Sequence, residues 1–420
     1  MTSKWQWLVH QLTRKLWFRA SLYAILAVAT ALVSISLKSY IPASLSGMIG
    51  AGAVDKILGI LASSMLAVTT FSLNIMVSAY SAASASVTPR ATRLLVEDST
   101  TQNVLATFIG SFLFSLVGIV ALGMGAYGEQ GRVVLFIVTL AVIVLIVLTL
   151  LRWIQYLAHF GRMGETTERV ELATHAALTH RQNNPYLGGT PWGRNIPLPD
   201  NHRPVHNNEI GYIQHIDMPA LSEYASAMGC DIYIPCQPGA FVDPATPLLW
   251  LVPMPDTYDE SHLINCFTVD AERSFDQDPR FGLSVLSEIA SRALSPAVND
   301  PGTAIDVIGR AVRLLAIWDT QYQQSAAVNY PKLFIKPLET RDLLDDIFNP
   351  VARDGAAIIE VQIRLQKALK ILEKINPFTY SVPARLHSCR ALDRARMSLE
   401  LEEEKKCLEQ IVSGKKDEGA

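Results

Sequence analysis

From Ile57 to Pro89 the chain carries no Asp, Glu, Lys or Arg, and Asp55-Lys56 and Arg90 close this stretch at its two ends. As a helix rising about 1.5 Å per residue it would be roughly 50 Å long, whereas the hydrocarbon core of a bilayer is only about 30 Å thick. Such a helix must tilt or project into water. Ile57–Val77 is mostly apolar, while Ser78–Thr88 is rich in Ser and Ala and too polar for lipid. Gly59, Ser63, Ala67, Thr70, Asn74, Ser78, Ser81 and Ala85 recur at steps of three or four, which places them on one helix face. The stripe admits two readings. Small residues let helix backbones approach closely, with Asn74 bonding to a neighbour. Alternatively Ser63, Thr70, Asn74, Ser78 and Ser81 line a water-filled path, since polar groups in membrane helices face a bundle interior or a cavity.

Apolar runs at about 18–37, 57–80, 103–126 and 133–151 predict four spans within a transmembrane domain over 1–155. The third contains Gly110, Gly118, Gly123 and Gly125, suited to close packing, and the fourth is almost wholly Val, Ile and Leu, suited to lipid. Ala27-Val28-Ala29 would suit a signal-peptide cleavage site, but the further spans argue against one. Lys4, Arg14, Lys15 and Arg19 precede the first span beside Trp5, Trp7 and Trp17. Arg90 and Arg93 lie in an expected charged loop over 90–98, and Arg152, Arg162 and Arg169 follow the last span. By the positive-inside rule both termini are expected in the cytoplasm. Helical periodicity continues past Trp153 to the Asn183-Asn184-Pro185 breaker, predicting one continuous helix that carries the fourth span over 156–183 into the cytoplasm.

The remainder is expected to be a cytosolic α+β domain. A Gly/Pro/Asn-rich linker to Pro204 opens a β-rich part over 184–270, with strands near 209–216, 231–235, 247–252 and 265–269 forming a small barrel or sandwich. A helix capped by Asp217 lies between the first two strands. The pattern is loosely similar to biotinyl- and lipoyl-type barrels, but no lysine occurs between Lys56 and Lys332, which excludes carrier attachment there. A helical part over 271–412 follows: 281–294, 301–318, 339–348 ended by Asn349-Pro350, 352–375 and 385–412, with a frayed tail over 413–420. Asp300-Pro301 has the form of a helix start, with Asp300 as cap and Pro301 where its missing N–H is harmless. Arg273, Asp276, Asp278, Asn299 and Asp300 are either turn and cap residues of this kind or a polar pocket or subunit contact.

The segments Ser84–Arg90, Asp98–Gly110 and Arg292-Ala293-Leu294-Ser295-Pro296-Ala297-Val298-Asn299-Asp300-Pro301-Gly302-Thr303-Ala304 resemble the bacterial family of predicted membrane proteins called domain of unknown function 2254. The resemblance covers nearly the whole chain and implies an inner-membrane protein, without implying an activity. Val298 and Gly302 are mild departures from its usual pattern.

A net charge of −3 does not suggest a nucleic-acid partner, and the five cysteines match no metal-site spacing. Free thiols in a reducing compartment are expected. Walker, Gly-x-Ser-x-Gly and His-Glu-x-x-His motifs are absent, and Gly123, Gly125 and Gly128 match a dinucleotide fingerprint only at the end of a span. His202 and His206 are separated by Pro204 and would not share a helix face. No metal or cofactor is therefore expected; lipid and further copies of the chain are the expected partners. Three functions follow: an oligomeric channel or small-solute transporter with a regulatory domain, a membrane-anchored sensor or scaffold, and, with least support, a membrane-surface enzyme.

Overall fold

A computed structural model describes residues 4–36, 51–96, 98–158, 162–193, 196–255 and 257–413. The frayed tail and the loop after the first span fall largely outside these residues. The chain divides into two compact units, Leu8–Thr166 and Met1–Trp7 with Thr167–Ala420.

The helices preceding the sheets are α1 (Lys4–Thr13), α2 (Leu16–Ser36), α3 (Ala51–Ser86), α4 (Pro89–Val96), α5 (Ser99–Gly123) and α6 (Gly128–Leu157). Three described stretches are long and apolar enough to cross a membrane: Gly52–Ser84, Ser99–Gly123 and Gln130–Leu157. A fourth arises if α1 and α2, bent by 72° at their break, count as one span. α5 packs against α2, α3 and α6. Its glycines divide by role. A Cβ at Gly110 would lie 3.3 Å from Tyr23, and one at Gly118 would lie 3.0 Å from Leu58, whereas Gly123 faces open space. Along α3, Val54, Leu58, Leu61, Met65 and Ser72 are buried, and the Ser72 hydroxyl accepts from the Trp153 indole at 3.0 Å. Much of α6 is exposed, as its composition suggests.

Local chemistry revises two expectations here. The segment expected as a charged loop is helical in α4: Pro89 opens it, and the Thr88 hydroxyl accepts from the Ala91 N–H at 3.3 Å. Asp98 in turn caps α5, accepting from Thr101 N at 2.7 Å, and also binds the Tyr156 hydroxyl at 2.8 Å. The continuous helix expected from the fourth span to Asn183 is instead two helices, α6 and α7 (Met163–Asn183). α7 does end at the Asn-Pro breaker.

Past α7 come β1 (Gly189–Pro191), β2 (Arg203–His206), β3 (Gly211–Ile216), α8 (Met218–Met228), β4 (Asp231–Ile234), β5 (Phe241–Val242), β6 (Pro247–Val252), α9 (Glu260–Asn265) and β7 (Phe267–Asp270). Then follow α10 (Pro279–Ala293), α11 (Pro301–Leu315), α12 (Thr320–Gln324), β8 (Tyr330–Ile335), α13 (Thr340–Asp354), α14 (Ile359–Ile375), α15 (Pro377–Ser398) and α16 (Glu402–Ser413). The expected barrel does not close. One sheet has the order β1-β8-β4-β6-β2, with β1, β8 and β4 mutually parallel, and the second is the antiparallel β5-β3-β7. Ile232, Ile234, Leu249, Leu251, Leu333 and Ile335 supply the core of the larger sheet. β8 arises within the segment expected to be purely helical, so strands and C-terminal helices share one fold.

The helical half is held by fitted contacts. A Cβ on Gly282 of α10 would overlap Thr174 of α7, so only glycine admits this approach. Glu171 of α7 bridges Arg310 at 2.6 Å and Arg313 at 2.7 Å. Two helix boundaries differ from expectation. α13 runs through Pro350 because Val351 and Ala352 beyond it are buried, and the break falls at Gly355. The expected helix over 385–412 is α15 and α16, separated at Leu399, which lets Leu408 and Val412 fold back onto Ile359 and Ile363 of α14.

His387 of α15 is buried, with Asp345 of α13 3.3 Å from its Nε2. Burial outweighs that carboxylate, and Arg390, Arg341 and Arg394 act with burial, so the imidazole is pulled down from 6.5 to about 4. The unfolded chain therefore binds a proton that the fold resists. Stability should fall as pH drops from about 6.5 to about 4, by about 3 kcal/mol if the whole shift is expressed. Denaturation of wild type and His387→Gln across this window should show the variant losing less stability toward acid. Parallel curves would contradict it.

Candidate ligand-binding cleft

Parallel pairing of β4 and β8 brings the segments leaving their carboxyl ends side by side, and the Gln237 side-chain amide donates to the Lys336 carbonyl. The amino ends of α10 and α13 meet the same edge. Together they enclose a cleft of about 420 Å³. Ligands of open α/β sheets bind outside the carboxyl ends of parallel strands, and helix amino ends favour negative charge there.

The wall nearest α10 is organised by Asp278. This carboxylate is 2% exposed, caps α10 by accepting from Phe281 N at 3.2 Å, and pairs with the Arg273 guanidinium at 2.7 Å. Burial pushes its carboxyl above the usual range, against Arg273, the Phe281 N–H and Arg181. The turn opposite must be glycine: Gly239 has φ +92°, and a Cβ there would overlap the Asp278 carboxylate. Arg280 is held by Asp342 at 3.2 Å and Asp346 at 2.6 Å.

Two cations of the cleft differ. Arg181, from the last turn of α7, is 3% exposed and bonds neutral groups, the Gln237 Oε1 at 2.5 Å and the Gln277 carbonyl at 3.1 Å. Burial lowers it to about 10, with Asp278 opposing, so it stays cationic at neutral pH. Lys336 lies over the Trp192 ring, 5.0 Å from its centre. Glu339, at the start of α13, also lines the cleft.

The five residues singled out in the sequence do not converge. Arg273 and Asp278 line the cleft. Asp276 accepts from the Trp7 indole at 3.0 Å, and that indole stacks on buried His215 at 5.1 Å. Asn299 (φ 49°) and Asp300 lie beyond the other end of α10, where the Asp300 N–H bonds the Ala293 carbonyl at 2.8 Å. Fifteen residues of helix separate that point from Asp278, about 22 Å. Asp300 caps α11, taking Thr303 N at 3.1 Å and the Thr303 hydroxyl at 2.6 Å, and these bonds lower its carboxyl. In α3, Ser63, Thr70, Asn74, Ser78 and Ser81 are all exposed, opposite the buried face. Among the described residues no group of three His, Cys, Asp or Glu could hold a metal ion, and all five cysteines are free. Burial raises Cys266 to about 12.

Helices of membrane-crossing length joined to an α+β unit with a built cleft define a membrane protein of mixed architecture. The chain belongs to the family described as "Predicted membrane protein (DUF2254)", whose model matches residues 13–371. Uncharacterized proteins of Mycobacterium tuberculosis and Mycobacterium bovis are each 35% identical over 104 residues, covering 23% of this chain and 20% of theirs. The chain thus matches about a fifth of the length of these relatives. No solved structure matches.

Replacing Asp278 by Ala removes a helix cap and leaves the Arg273 guanidinium without its ion-pair partner. The expected loss is about 2–4 kcal/mol. Asp278→Asn keeps the cap and should lose less. Thermal melts of the purified protein test this; equal melting of Asp278→Ala and wild type would refute the role.

Proposed function

We propose that this is a bacterial inner-membrane protein with four spans and cytoplasmic termini, whose α+β unit binds a small ligand in the cleft and acts as a sensor or ligand-regulated scaffold. The observation that carries this reading is the cleft itself, with buried Arg181 in its wall at the carboxyl ends of two parallel strands. Maintaining a buried cation bonded only to neutral groups is costly for folding alone, which favours a binding role. The arginines beside the chain's apolar runs support the topology, with α1 and α2 together supplying the first span. Cys236 lines the cleft. Native mass spectrometry of the full-length protein should find a small molecule retained by wild type and lost from Cys236→Trp, with both melting alike. Its absence, or equal retention by both proteins, would sink the proposal.

The exposed stripe favours a second reading, homo-oligomerisation through α3, with a conduit between copies as its strongest form. Ser63 and Thr70 return their hydroxyls to the carbonyls of Gly59 and Leu66 at 3.0 and 2.9 Å. A small, internally satisfied surface of this kind suits close helix contact in lipid. With the native cysteines replaced, cysteine at Thr70 or Asn74 should crosslink two chains on oxidation, and cysteine at Leu58, buried within the chain, should not. Failure at both stripe positions in folded protein would retire the oligomer reading.

A further inference from the structure

The cleft's charges indicate the chemistry of its ligand, an inference that rests on the cleft being a binding site. Arg273 and Arg280 are neutralised by Asp278, Asp342 and Asp346. Arg181 and Lys336 form no ion pair among the described residues: one bonds an amide oxygen and a carbonyl, the other covers an indole face. They stand at the same cleft, linked by Gln237, which accepts from Arg181 and donates to the Lys336 carbonyl. The start of α13 lies in this wall too, and its cap residue Glu339 makes no side-chain cap bond. A guanidinium fork fixed by burial, a half-buried ammonium on an indole face and a helix amino end form a donor set that suits an oxyanion.

We infer that the cleft takes a small oxyanion, a phosphate or carboxylate group, held between Arg181 and Lys336. Arg181 is pre-positioned by Gln237 and the Gln277 carbonyl, so little side-chain freedom is lost on binding. Lys336 completes the grip by leaving or pivoting on Trp192. Glu339 opposes the anion and limits its affinity.

The test is a melting titration of full-length protein in detergent, at constant ionic strength in chloride, with orthophosphate, succinate and dihexanoyl phosphatidate as probes. At least one probe should raise the melting temperature saturably. Lys336→Gln should weaken that response about tenfold, the loss of one charge-assisted contact, and Glu339→Gln should strengthen it. Arg181→Gln should abolish it. If that variant does not fold, the other two carry the test. A response to orthophosphate or succinate identifies a soluble anion, and a response to phosphatidate alone identifies a lipid headgroup. Absence of any saturable response, or identical titrations of wild type and Lys336→Gln, overturns the inference. A neutral molecule found in wild type but not in Cys236→Trp, with no anion response, would leave the binding site standing and remove only its anionic character.

Discussion

The pairing of Asp231–Ile234 with Tyr330–Ile335 is the interaction on which the α+β unit depends. Parallel neighbours cannot be joined by a hairpin and require a long crossover. Here the crossover contains three strands and four helices, so the chain returns to its first sheet only after building much of the unit. That return seats β8 between β1 and β4 and sets Gln237 beside Lys336. It also brings the amino ends of α10 and α13 to one edge. Without the pairing the cleft would have neither floor nor far wall.

Within that frame Asp278 joins features that would otherwise be separate. The same carboxylate closes the first turn of α10, neutralises Arg273 and packs on the glycine turn after β4. Helix start, loop conformation and local charge are therefore coupled, and a change at any one is felt at the other two. Arg181 is the contrasting case: its hydrogen bonds go to neutral groups, and Asp278 reaches it only through space.

Much of this architecture was legible wherever the signal was local. A charge-free stretch of this length marks a candidate membrane span, and α3 extends it at its amino end to Ala51. Asp217 and Asp300 cap the helices they were expected to cap, because the capping bond spans only three residues. The losses are tertiary. Tyr330-Pro331-Lys332-Leu333-Phe334-Ile335 contains Pro and Lys, which weaken a strand signal, and only Leu333 and Ile335 are fully buried there. Nothing beside Arg181 distinguishes it from a solvated arginine at a helix end, since its burial is created by residues more than fifty positions away. Of the five polar residues that the sequence groups together, Arg273 and Asp278 meet because they are five positions apart, while the length of α10 carries Asn299 and Asp300 away from them.

The dimensions of α3 determine where its stripe resides. Its 36 residues extend about 54 Å, and confining them to a core about 30 Å thick would demand a tilt of about 56°, beyond the usual range. At an ordinary tilt of about 20°, the core accommodates roughly 21 residues. Counted from the charged pair Asp55-Lys56, that length ends at Val77. On that placement Ser78 and Ser81 would lie beyond the hydrocarbon and need no protein partner to be satisfied. Within it, Ser63 and Thr70 already donate their hydroxyl protons to carbonyls of their own helix. On that placement the five-residue stripe would leave one solvation problem within the hydrocarbon, the amide of Asn74, about one turn from where lipid gives way to headgroups.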